Sequence, residues 1–124
     1  MRFVVRNAFG AFFIAAGTSA SCAAVTAQAP VVTPEGVRFS LAHAEARSVA
    51  VAGSFNDWSA SAHPLARNGS GNVWTAMVVL PPGDHQFMFV LDGTQWIVPP
   101  LAEEYVDDGF GSRNGVISVR PRER

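Results

Sequence analysis

The chain of 124 residues contains no lysine; all nine of its basic residues are arginines, set against ten acids. No basic cluster forms, which excludes the electrostatic footprint of a nucleic-acid partner. There is one cysteine, Cys22, so a disulfide framework within the chain is excluded. The three histidines, His43, His63 and His85, are scattered without metal-ligand spacing, and no metal site or cofactor is expected. Glycine-rich phosphate loops and a nucleophile elbow are absent. Glycoside hydrolysis needs two carboxylates flanking one sugar, whereas Glu103, Glu104, Asp107 and Asp108 crowd a single stretch that reads as a solvated loop. These absences point to a non-catalytic chain.

The first 27 residues have a layout of their own. Arg2 and Arg6 precede an apolar run over 8–16, too short to span a bilayer, followed by small residues. This is the pattern of a secretory signal peptide. Cleavage is expected after Ala27, with Ala24 and Ala20 as alternatives; a short membrane anchor or a disordered tail would also fit. A lipid anchor through Cys22 is disfavoured, since Ser19 stands where leucine is usual. The expectation is therefore an exported protein, periplasmic or extracellular, with no transmembrane span in the mature chain. Without Arg2 and Arg6, seven arginines face ten acids, a net charge of about −3, which disfavours anionic partners.

Residues 28–35 read as a linker and 121–124 as a tail. Between them, 36–120 is patterned as strand after strand. Val37, Phe39 and Leu41 alternate with Arg38, Ser40 and Ala42; Val49 and Val51 follow; Trp74, Ala76, Val78 and Leu80 share a face, as do Phe87, Phe89 and Leu91. Turn residues interrupt at 68–72, 81–84 and Asp92-Gly93. Residues 101–114 read as an acidic, glycine-rich loop before a last strand over 115–120. Helical periodicity is missing after residue 30. Six or seven short strands predict an all-β antiparallel β-sandwich.

Within that frame, Gly53-Ser54-Phe55-Asn56-Asp57-Trp58 closes one strand and ends on an indole just past a turn, and Trp96 stands just past another. Two indoles near loops suit a ligand with flat apolar faces, such as a sugar ring. Trp74, inside a regular strand, is expected in the core.

Gly53 to Trp58, then Pro82-Gly-Asp-His-Gln-Phe-Met-Phe89, Val90-Leu-Asp-Gly93 and Trp96, resemble the glycogen-binding domain of AMP-activated protein kinase β subunits. They also resemble the early-set domain of isoamylases and branching enzymes, together carbohydrate-binding module family 48. The resemblance spans about 36–120. It implies an immunoglobulin-like (early-set) sandwich that binds α-1,4-glucan (glycogen, starch or maltooligosaccharide). It carries sugar-binding roles onto Trp58, Trp96, Phe110, Ser112 and Asn114. Met88 stands where glycogen-binding members have lysine, so a charged donor is lost.

Plainer roles remain open for the same residues. Trp58 could cap the core, Phe110 could anchor a loop inward, and Asn114-Gly115 could be a turn. The function expected is an exported, free-standing glucan-binding module. The alternative is an envelope interaction or regulatory module, partnered by an envelope protein or a separately encoded enzyme, that keeps the fold without sugar binding.

Overall fold

The computed structural model describes residues 29–69 and 71–121. The expected leader over 1–27, Cys22 included, and the tail residues 122–124 lie outside them. The described residues form nine strands and no helix.

The strands are β1 (Val31–Thr33), β2 (Gly36–Ala42), β3 (Val49–Gly53), β4 (Pro64–Arg67), β5 (Val73–Val78), β6 (Gly83–Leu91), β7 (Gln95–Ile97), β8 (Glu104–Asp107) and β9 (Arg113–Val119). All pairings are antiparallel, in the order β1-β2-β5-β4-β3-β6-β9-β8, with β7 also on β6. β4 joins the two halves of this curled sheet. Its first residues pair with β3 through Ala50↔Pro64 and Val49↔Leu65, and its last with β5 through Ala66↔Thr75 and Arg67↔Trp74.

The curl brings the two halves face to face over one core. Phe39 of β2 meets Phe87 of β6 edge-on at 5.1 Å between ring centroids, and Phe87 meets Phe89 at 5.7 Å. Val37, Leu41, Val51 and Ile117 complete the centre, all essentially inaccessible. These are the odd-numbered positions that alternation assigns to one face. Trp74 is buried as expected, and its indole N–H donates to the His43 carbonyl at 2.9 Å.

Three expectations are corrected. Within the expected linker 28–35, Val31–Thr33 pairs with β2 as β1. The expected acidic loop 101–114 contains β8, paired with β9 through Val106↔Asn114 and Asp107↔Arg113. Asn114-Gly115 is not a turn but the interior of β9. Gly115 is required there by packing: a Cβ would sit 3.0 Å from each of Ala102, Phe87 and Pro99.

Candidate functional site

The site grows out of β6. Its odd residues Phe87, Phe89 and Leu91 enter the core, so Gln86, Met88 and Val90 face the other way. Antiparallel partners share a face. The pairing Val90↔Trp96 therefore puts Trp96 of β7 on this outer face, and Gln86↔Val116 puts the Asn114–Val116 side of β9 there too. Trp96 is about two-fifths exposed, Met88 nearly buried.

Trp58 arrives from a turn fixed to the same strand. Ser54 N donates to the Gln86 carbonyl at 2.9 Å, and Gln86 N donates to Ser54 Oγ at 3.1 Å. Gly53 lies so close to β6 that a Cβ would strike the Gln86 carbonyl and the Phe55 ring. Phe55 turns inward and stacks on Phe39 at 5.9 Å. Asn56 organises the rest: its Oδ1 accepts from Gly53 N at 3.0 Å and Ser59 N at 3.2 Å, and its Nδ2 donates to the Val51 carbonyl at 3.1 Å. The backbone then passes through two consecutive left-handed residues, Asp57 at φ 57° and Trp58 at φ 59°. That conformation is unfavourable for a bulky residue. It persists because Trp58 N is tied to the Gly53 carbonyl at 2.9 Å. The result is a half-buried indole that lies outside the core cluster and lines a groove.

The opposite wall is the β8–β9 hairpin. Asp107 Oδ1 accepts from Gly109 N at 2.8 Å; Asp108 Oδ1 accepts from Phe110 N at 2.7 Å and Ser112 N at 3.0 Å. Gly109 and Gly111 adopt φ 83° and 92°, open to glycine alone at low cost. The loop is therefore folded on its own carboxylates, and Phe110 at its tip is 92% exposed. An inward anchoring role for Phe110 is thereby excluded.

These segments enclose a groove of about 620 Å³ lined by Trp58, Gln86, Met88, Trp96, Asp107, Asp108, Phe110, Ser112 and Asn114. It brings together Trp58, Trp96, Phe110, Ser112, Asn114 and Met88, residues spread over 57 positions of sequence. Its floor is an amide pair: Asn114, 7% exposed, donates through Nδ2 to Gln86 Oε1 at 3.0 Å. That bond leaves Gln86 Nε2 as a donor and Asn114 Oδ1 as an acceptor beside the indoles. Sequence reasoning missed Gln86, Asp107 and Asp108. For Gln86 the signal was present, since an even position on a strand with odd core residues must face outward.

The histidines lie elsewhere. His63 and His85 stand edge-on to Phe55 at 5.8 and 6.2 Å, and His43 Nδ1 accepts from Ala46 N at 3.0 Å. Among the described residues no three potential metal ligands are grouped, and no helix is long and apolar enough to cross a membrane.

An outward groove with aromatic walls and an amide floor, on a curled antiparallel sheet, is the architecture of a small ligand-recognition domain. The sequence profile of the glycogen recognition site of AMP-activated protein kinase matches residues 37–124, and the chain belongs to that family. Among curated relatives it is 40% identical over 74 residues to the AMP-activated protein kinase subunit beta-1 of Sus scrofa, covering 60% of this chain and 56% of the relative. It is 42% identical over 74 residues to the subunit beta-1 of Bos taurus and 39% to the subunit beta-2 of Mus musculus, covering 60% of this chain each time. The aligned segment spans about half the length of the first of these relatives and about a quarter of the other two.

Proposed function

We propose that this domain is a non-catalytic binding module for α-1,4-glucan on an immunoglobulin-like, early-set sandwich, with the sugar held against Trp58 and Trp96. The observation that carries the reading is the convergence of both indoles, Phe110, Ser112 and Asn114 on one groove. The C–H face of a glucose unit covers an indole and leaves its hydroxyls at the rim. Apolar area is then removed from water at about 25 cal/mol per Å², while association and ordering oppose binding. Two rings and one amide pair accordingly support micromolar to millimolar affinity. The Gln86–Asn114 pair offers a donor and an acceptor side by side, which matches adjacent hydroxyls of one sugar.

Affinity electrophoresis in gels containing glycogen or soluble starch tests the reading. Retardation relative to a plain gel is the expected result; equal migration removes the function.

A second reading rests on Met88. The family lysine is replaced by a thioether that cannot donate, and the relatives are subunits of a kinase. On this reading the groove contacts a protein, either an envelope component or a separately encoded enzyme. Equal migration in the glucan gels is the outcome that favours it.

The pattern over 1–27 further supports export. Fractionation followed by N-terminal sequencing tests this: a mature chain beginning at residue 28 outside the cytoplasm is expected, and a full-length cytoplasmic chain contradicts it.

A further inference from the structure

The charge of the groove carries a sharper statement about its ligand, one that rests on the glucan reading. Among its lining residues there is no cation, and there are two carboxylates, Asp107 and Asp108. Both are fixed in place rather than free to swing away, because their Oδ1 atoms fold the loop through three backbone N–H bonds of 2.7–3.0 Å. Each keeps its second oxygen for solvent or ligand. Arg113, between the groove residues Ser112 and Asn114, pairs with Asp107 across the hairpin, and both belong with Tyr105 on the alternate face; its guanidinium lies over the Tyr105 ring, 4.5 Å from the centroid. Asp108, in the loop beyond the paired residues, is the carboxylate left to the groove. Met88, in the middle of the groove floor, supplies no charge.

We propose that Asp108 is a specificity-determining residue that restricts the groove to uncharged stretches of glucan and excludes phosphorylated or otherwise anionic sugar. The mechanism is Coulombic. A sugar hydroxyl donates to a carboxylate oxygen, whereas a phosphate ester brings about two negative charges beside a fixed one, in a groove whose other polar groups are neutral. Like charges within several ångströms repel appreciably at the dielectric of a protein surface. The neutral amide pair cannot compensate, because a phosphate needs cationic or multiple N–H donors to repay its lost hydration.

The test is titration calorimetry on the full chain with maltoheptaose and with maltoheptaose carrying a 6-phosphate. At low ionic strength the neutral sugar is expected to bind roughly tenfold or more tightly than the phosphorylated one. The gap should narrow as salt is raised, since the Debye length falls from about 30 Å at 0.01 M to about 3 Å at 1 M. Asp108→Asn, which keeps the side-chain oxygen that folds the loop, should close the gap by strengthening the phosphorylated sugar. Equal affinities, tighter binding of the phosphorylated sugar, or a gap indifferent to salt overturns the proposal while leaving the glucan reading intact. Failure of both sugars to bind removes the glucan reading and the selectivity with it.

Discussion

Asn114 on β9 donates to Gln86 on β6 at 3.0 Å, and this bond is the floor of the groove. The two ends are unequally placed, since Asn114 is buried and Gln86 exposed. Gln86→Ala should therefore lower stability by about 1–2 kcal/mol, because it strands a buried N–H₂ group without its acceptor. The double variant Gln86→Ala/Asn114→Ala should lose less than the sum of the two single variants. Urea denaturation of the three proteins measures this coupling; strict additivity would contradict the bond.

Asn56 ties the Gly53–Trp58 turn together from within, while Ser54 clamps it to β6. Asn56→Ala removes the acceptor of two backbone N–H groups and the donor to Val51. A loss of about 2 kcal/mol is expected in chemical denaturation. With the turn that carries Trp58 loosened, glucan binding should weaken even where the variant remains folded. A variant with wild-type stability would show that Asn56 does not organise the turn.

Gly53 and Gly115 cannot be enlarged cheaply. A Cβ at Gly53 meets the Gln86 carbonyl, and one at Gly115 meets three side chains at 3.0 Å. Each alanine substitution should destabilise by about 1–3 kcal/mol. Gly69, with nothing within reach of a Cβ, has no such clash. Its alanine variant bears only the strain of φ 53° and should lose less. Thermal melts of the three alanine variants check that order.

The hairpin after β6 carries the clearest pH signature. Hydrogen bonds from Arg47 N and Ser48 N hold the Asp92 carboxyl below the usual carboxylate range. A depressed folded-state pKa contributes stability that is present above the unfolded value, about 3.9. The contribution is lost as pH falls through the folded value. Asp92→Asn tolerates the same φ of 55° and should melt below wild type at neutral pH. The difference should shrink as pH is lowered below about 4. A difference independent of pH would contradict the role of the carboxylate.

Much of the core could be read from alternation, because Phe39, Phe87, Phe89 and Leu91 sit on strands long enough to show a period of two. β1 and β8 could not. Strands of three and four residues carry almost no periodicity, and their existence depends on partners, β2 and β9, that only the fold supplies. The acids of β8 mark solvent exposure and say nothing of pairing. Trp58 and Trp96 were visible as indoles beside turns, but their meeting depends on the register of β6 with β7 and on Ser54 clamping to Gln86. Asn114 looked equally like a turn residue because Asn-Gly is a turn signal. Its place inside β9 follows from the packing of Gly115 under Phe87, which is non-local.

The central claim is that Trp58 and Trp96 form one sugar-binding surface. Titration calorimetry of maltoheptaose with the wild-type chain, Trp58→Ala and Trp96→Ala tests it most directly. Micromolar to millimolar binding is expected for the wild type. Each substitution should weaken it by about tenfold or more, the equivalent of about 1.4 kcal/mol, while thermal melts confirm that the variants are folded. Folded variants that bind maltoheptaose like the wild type would contradict the account.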